Sequence, residues 1–158
     1  MVMTMDKDVI NLGLVLKNID NFDMSTFNGR LILQKTVYLM QVFGIYTGYD
    51  FSWYLRGPYS TKLARNGFAL QEVYSNMPKG YFDQQDIKEK FARFLNFMQN
   101  KKTDADTLEI LASIHFLKKV YPSMKKPEII EKVKKKQSYF TKVQCEEGWT
   151  ELKKAGLV

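Results

Sequence analysis

A chain of 158 residues with one cysteine, one histidine and a net charge of +7 is long enough to bury roughly 70 % of its unfolded surface unaided. It is too poor in ligating side chains for a zinc cluster or an internal disulfide. Length sets the expectation of a single domain over 1–158, and the lone Cys145 sets that of a reducing, cytoplasmic setting. No apolar run reaches the length of a membrane span, and the start MVMTMDKDV is acidic where a leader would be basic, so neither a membrane nor a targeting segment is expected.

In chain order, Val9, Leu12, Val15, Leu16 and Ile19 form a three-four apolar stripe that predicts a helix over Asp8 to Ile19. A polar connection follows, in which Ser25, Thr26 or Asn28 is placed to cap the next helix. Between Leu31 and Phe43 apolar residues fall on every side of a 3.6-residue period, which predicts a helix buried almost all round at the centre of the fold. Gly44 supplies its left-handed terminus. Tyr49, Phe51, Trp53 and Leu55 then alternate with polar residues, predicting a half-buried strand with Trp53 inward; Gly57-Pro58 is expected to turn the chain, and Ser60 to cap a new helix. Asn66-Gly67 interrupts that helix and predicts a kink or two short helices, while Tyr81-Phe82 is a candidate second strand or small wing. Helices are predicted from about Gln84 to Asn100, from Asp104 to Pro122, from Pro127 through the lysine-rich segment, and from Ser138 or Thr141 to Lys154. The fold class is mainly α (α+β): a compact multi-helix domain around a central buried helix, with a small antiparallel β element of winged-helix type as one form.

The pattern Leu33-Gln34-Lys35-x-Val37-Tyr38-Leu39, the aromatic strand and Gly57-Pro58-Tyr59-Ser60 resemble a group of small prokaryotic and archaeal proteins termed YwgA-like. More distantly they resemble the Panacea, or SocA-like, antitoxin domain. The likeness spans about a quarter of the chain, and where a typical member carries Tyr or Phe before Gly-Pro this chain has Arg56. The resemblance implies the fold above and a protein-interaction role of antitoxin, immunity or regulatory kind.

Residues carrying chemistry are few. His115 shares a helix face with Leu108, Leu111 and Ala112 and reads as structural, as does Cys145 beside two glutamates, which raise a thiol's pKa. No catalytic group, metal site or cofactor is expected. The GPYS corner lacks the spacing of a phosphate loop but brings Tyr59, Ser60 and Lys62 near a helix start. With Arg30, Lys35 and Arg56 from the same unit they are candidates for a ligand or anion site; the alternative is a purely structural corner. Lys35, a charge in an apolar helix, is expected either to reach the surface or to pair with a carboxylate such as Asp50.

The charge is localised. Residues 118–142 hold nine lysines against Glu128 and Glu131, while the rest of the chain is close to neutral. Lys125, Lys126, Lys132, Lys134, Lys135 and Lys136 are candidates for contact with a nucleic-acid backbone, the alternative being a solvated helix face. That segment contains no arginine, so base-specific reading from it is not expected. A non-catalytic binding module with a protein partner is the reading favoured, and nucleic-acid binding is the alternative.

Overall fold

The computed structural model describes residues 6–158. Among them are seven α-helices and one two-stranded antiparallel sheet. Helix α1 (Lys7–Leu16) is opened by Asp6, whose carboxylate accepts from the Asp8 amide. It ends before the apolar stripe does, and Ile19 is buried from the connection that follows. Helix α2 (Phe27–Val42) is capped by Thr26, whose hydroxyl accepts from Gly29 N at 2.9 Å. Every residue from Leu31 to Met40 is buried, as the all-round apolar pattern requires, and Gly44 turns the chain away at φ +97°.

The strand region differs from the pattern-based reading. Strands β1 (Ser52–Tyr54) and β2 (Gly57–Tyr59) form a hairpin with Trp53 opposite Pro58, and the turn is Leu55-Arg56, not Gly57-Pro58. A proline without an N–H is tolerated here because β2 has β1 on only one side. Leu55 therefore sits at the turn and is 65 % exposed, although strand alternation assigned it inward. Trp53 is half-buried, its ring stacked on Phe116 at 5.7 Å. Tyr81-Phe82 forms neither strand nor wing: Tyr81 is exposed, and Phe82 packs on Phe91.

Helix α3 (Thr61–Gln71) runs through Asn66-Gly67 without a break. Gly67 is there for close approach, since a Cβ would lie 2.7 Å from Leu33 Cδ2 and 2.8 Å from Met24 Cε. A 3₁₀ turn at Tyr74–Asn76 leads to α4 (Gln85–Met98), which buries Phe91, Phe94 and Met98. Helix α5 (Ala105–Val120) is capped by Asp104 and buried continuously from Leu108 to Ile114, so the fold has two central helices, α2 and α5, packed on each other. Helices α6 (Lys126–Lys136) and α7 (Lys142–Lys154) pack on α5 and on each other. Pro127 lies in the first turn of α6, and Thr141 with Gln144 forms a capping box at α7. Among the described residues, no helix is long and apolar enough to cross a membrane.

Candidate functional site

The segments at Gln34-Lys35 and Pro58–Ser60 bind each other directly. The Gln34 amide donates to Ser60 O at 2.9 Å and accepts from Ser60 N at 2.8 Å, so one side chain satisfies both backbone groups of the residue leaving β2. Ser60 Oγ accepts from Leu63 N at 3.2 Å and caps α3. Lys35 neither snorkels nor meets Asp50: it is 1 % exposed and its ammonium donates to Pro58 O at 2.7 Å. The corner cannot present Ser60 to an anion, because that residue is 2 % exposed and its polar groups are engaged. Lys62 points away to Asp8, at 2.7 Å.

Behind this corner lies a buried polar network that sequence patterning did not find. Glu109 of α5, fully buried, accepts from Gln137 Nε2 at 2.8 Å and from the Tyr139 hydroxyl, and Gln137 Nε2 also donates to Ser113 Oγ at 2.9 Å. The other Glu109 oxygen has no hydrogen-bond partner and lies 3.7 Å from Arg56 Nη1. The Arg56 guanidinium is held between the rings of Phe27, at 5.0 Å, and Tyr139, at 4.9 Å. Burial pulls the Lys35 ammonium down to about 7, against the charge of Glu109, which favours its protonated form; Arg56 adds to the depression. Burial likewise raises the Glu109 carboxyl, while the hydrogen bonds from Tyr139 and Gln137 and the charges of Lys35 and Arg56 oppose that shift.

In front of the corner, α2, the hairpin turn and α3 enclose a pocket of about 320 Å³. Arg30, Lys35, Arg56 and Tyr59 all line it, so four of the six residues singled out in this unit are brought together and Ser60 and Lys62 are not. Its rim is apolar and open to solvent: Phe27 is 54 %, Tyr54 57 %, Leu55 65 % and Phe68 50 % exposed. Arg30 is steadied by donating to Met24 O at 2.9 Å. No carboxylate, serine, threonine, cysteine or histidine lines the pocket, which offers cations, the tyrosines Tyr54 and Tyr59 and apolar surface.

Neither a family model, a curated protein nor a solved structure matches this chain.

The two other reactive side chains are occupied structurally. His115 Nδ1 and the Tyr38 hydroxyl are 2.7 Å apart, and burial, with Lys119 nearby, lowers the imidazole to about 4, which keeps it neutral at pH 7. Cys145 is buried, and that burial raises its thiol. Among the described residues, no group of three or more His, Cys, Asp or Glu side chains is placed to hold a metal ion.

The lysine-rich stretch divides by role. Lys118 donates to Pro122 O and Met124 O, both at 2.7 Å, and so closes the turn between α5 and α6. Lys125 is the residue before α6, and Lys126 lines a groove with Lys134, Lys135 and Lys142 that also contains Glu131 and Glu146. Lys134, Lys135 and Lys136 are exposed, while Lys132 is partly covered, with its ammonium 4.9 Å from the Tyr121 ring centre.

Proposed function

We propose that the protein is a non-catalytic protein-interaction module that docks a partner in the pocket between α2, the hairpin turn and α3. The observation that carries this reading is the open apolar rim of Phe27, Tyr54, Leu55 and Phe68 around Arg30 and Arg56, with no carboxylate in the lining. Contiguous exposed apolar surface marks interaction sites, and aromatic and arginine side chains are the residue types that anchor them. The occupant that fits is a partner segment presenting an apolar side chain next to a carboxylate: the apolar group fills the pocket and the carboxylate meets the arginines. An antitoxin-like, immunity-like or regulatory role in the cytoplasm accords with the resemblance of the LQK and GPYS segments to YwgA-like and Panacea domains.

The test is affinity capture from a nuclease-treated lysate, with the wild type and the double variant Leu55→Asp/Phe68→Asp. Both positions are exposed, so stability should stay within about 1 kcal/mol. The wild type should retain a defined partner that the variant loses by at least roughly tenfold, since two of the four apolar rim side chains become anionic. Equal capture by both proteins would place the interaction elsewhere.

A further inference from the structure

A second groove, of about 330 Å³, lies where the end of α5, strand β1 and helix α6 meet. Its floor and edge carry Trp53, Phe116 and Tyr121, its wall Lys132, Lys135 and Lys136, and no carboxylate lines it. Trp53 is half-buried with its ring stacked on Phe116, and Tyr121 is 42 % exposed. The groove on the other side of α6 shares Lys135 but contains Glu131 and Glu146, which offset its lysines. Of the two sides of α6, it is therefore the Trp53 side on which lysines without a lining carboxylate meet accessible rings.

We infer that this groove binds single-stranded nucleic acid, with bases stacked on Tyr121 and Trp53 and phosphates held by Lys132, Lys135 and Lys136. Cations that track a backbone, interleaved with aromatic faces, are the two requirements for a single strand. In a duplex both faces of each base are already stacked, so a duplex can use the lysines but not the rings. An acidic protein surface likewise lacks flat faces for Tyr121 and Trp53. In the unliganded groove the Lys132 ammonium covers the Tyr121 ring at 4.9 Å. A base takes that position when the ammonium moves to an adjacent phosphate. Lysine point charges and ring faces do not distinguish bases or sugars, so sequence preference is weak and DNA and RNA bind alike. The inference is independent of the docking pocket, whose residues it does not use.

The experiment is anisotropy titration of labelled oligo(dT) and oligo(U) 12-mers, a 12-base-pair duplex and heparin as competitor, at 50 and 200 mM salt. The chain has two tryptophans, so a Trp149→Phe background leaves Trp53 as the sole indole reporter. Both single strands should bind roughly tenfold tighter than the duplex and quench Trp53 emission. Tyr121→Ala should weaken single-strand binding roughly tenfold and leave duplex binding unchanged. Lys135→Gln/Lys136→Gln should flatten the single-strand salt dependence by about 1.4 in log–log slope, at about 0.7 for each phosphate neutralised. Thermal melts of each variant confirm folding, and Leu55→Asp/Phe68→Asp should bind the oligonucleotides like wild type, which separates this site from the docking pocket. No binding at 50 mM salt would overturn the inference. So would duplex and heparin binding as tightly as the single strands with Trp53 emission unchanged.

Discussion

Glu109→Ala should cost the fold about 3–5 kcal/mol at pH 6, because it strips the buried Lys35 ammonium of the carboxylate charge that favours it, leaves the Tyr139 hydroxyl without its acceptor and leaves Gln137 with Ser113 alone. The loss should shrink as pH rises. In the unfolded chain Lys35 keeps its proton to about 10.5, whereas in the folded protein it loses it near 7. Between those values the unfolded state binds more protons, so Lys35 makes stability rise with pH, by up to about 1.4 kcal/mol per unit. Removing Glu109 depresses the lysine further and extends that window downward, so at pH 9, where Lys35 is already neutral, less is lost than at pH 6. Glu109 works in the opposite sense: its raised carboxyl favours the fold at low pH and gives up that contribution as it ionises. Urea unfolding of wild type, Glu109→Ala and Lys35→Met/Glu109→Leu at both pH values reads these effects. The double apolar variant should recover most of the loss and lack the rise in stability with pH that Lys35 confers. A single-variant loss under 1 kcal/mol at pH 6 would mean that the network carries no strong coupling.

Gly57→Ala is the second large effect, expected at about 3 kcal/mol from two separable causes. Gly57 lies at φ +93°, where an L-residue is strained, and a Cβ built on it would lie 2.3 Å from Ser113 Oγ and 3.6 Å from Lys35 Nζ. Ser113 cannot simply swing aside, because its hydroxyl is held by Gln137 at 2.9 Å and the residue is fully buried. In Gly57→Ala/Ser113→Ala the nearest clash is gone, since Ser113 Cβ is 3.5 Å away, and the backbone term of about 1–2 kcal/mol should remain. Chemical denaturation of both variants and of Ser113→Ala separates the two terms. A Gly57→Ala loss under 0.5 kcal/mol would show that the hairpin can shift away from α5.

These effects centre on residues of unequal legibility. Helix α2 was readable because Leu31 to Met40 are apolar on every side, and the caps at Thr26, Ser60 and Thr141 follow from residue type and position. The hairpin was half readable: Trp53 marked a strand, but Gly-Pro commonly turns a chain, and nothing local says that Leu55-Arg56 turns it instead. The Asn66-Gly67 kink was misread because a helical glycine is equally a breaker and a point of close contact, and only the positions of Leu33 and Met24 decide which. Arg30, Lys35, Arg56 and Tyr59 were found as a group because they belong to one local unit. Their buried counterparts come from α5 and from the α6–α7 connection, and their convergence is tertiary. One signal was present: in Leu108-Glu109-Ile110-Leu111-Ala112-Ser113-Ile114 a glutamate and a serine four residues apart interrupt a run of apolar residues, placing two polar groups on one face of a helix that has no polar side. Phe27, Leu55 and Phe68 could not be singled out, because an exposed hydrophobe and a buried one look the same in a sequence.

Docking in the pocket between α2, the hairpin turn and α3 is tested most directly by a photo-crosslinking residue, p-benzoylphenylalanine, placed at Phe68 in living cells, with Glu72 just beyond α3 as the exposed control outside the pocket. Irradiation should join Phe68 to a single partner protein at a peptide containing an apolar side chain beside Asp or Glu. Adding Arg56→Glu should abolish that product, since the partner carboxylate then meets a like charge. A product of equal yield at Glu72, or one that survives Arg56→Glu, would contradict a pocket built to hold an apolar anchor and an acid together.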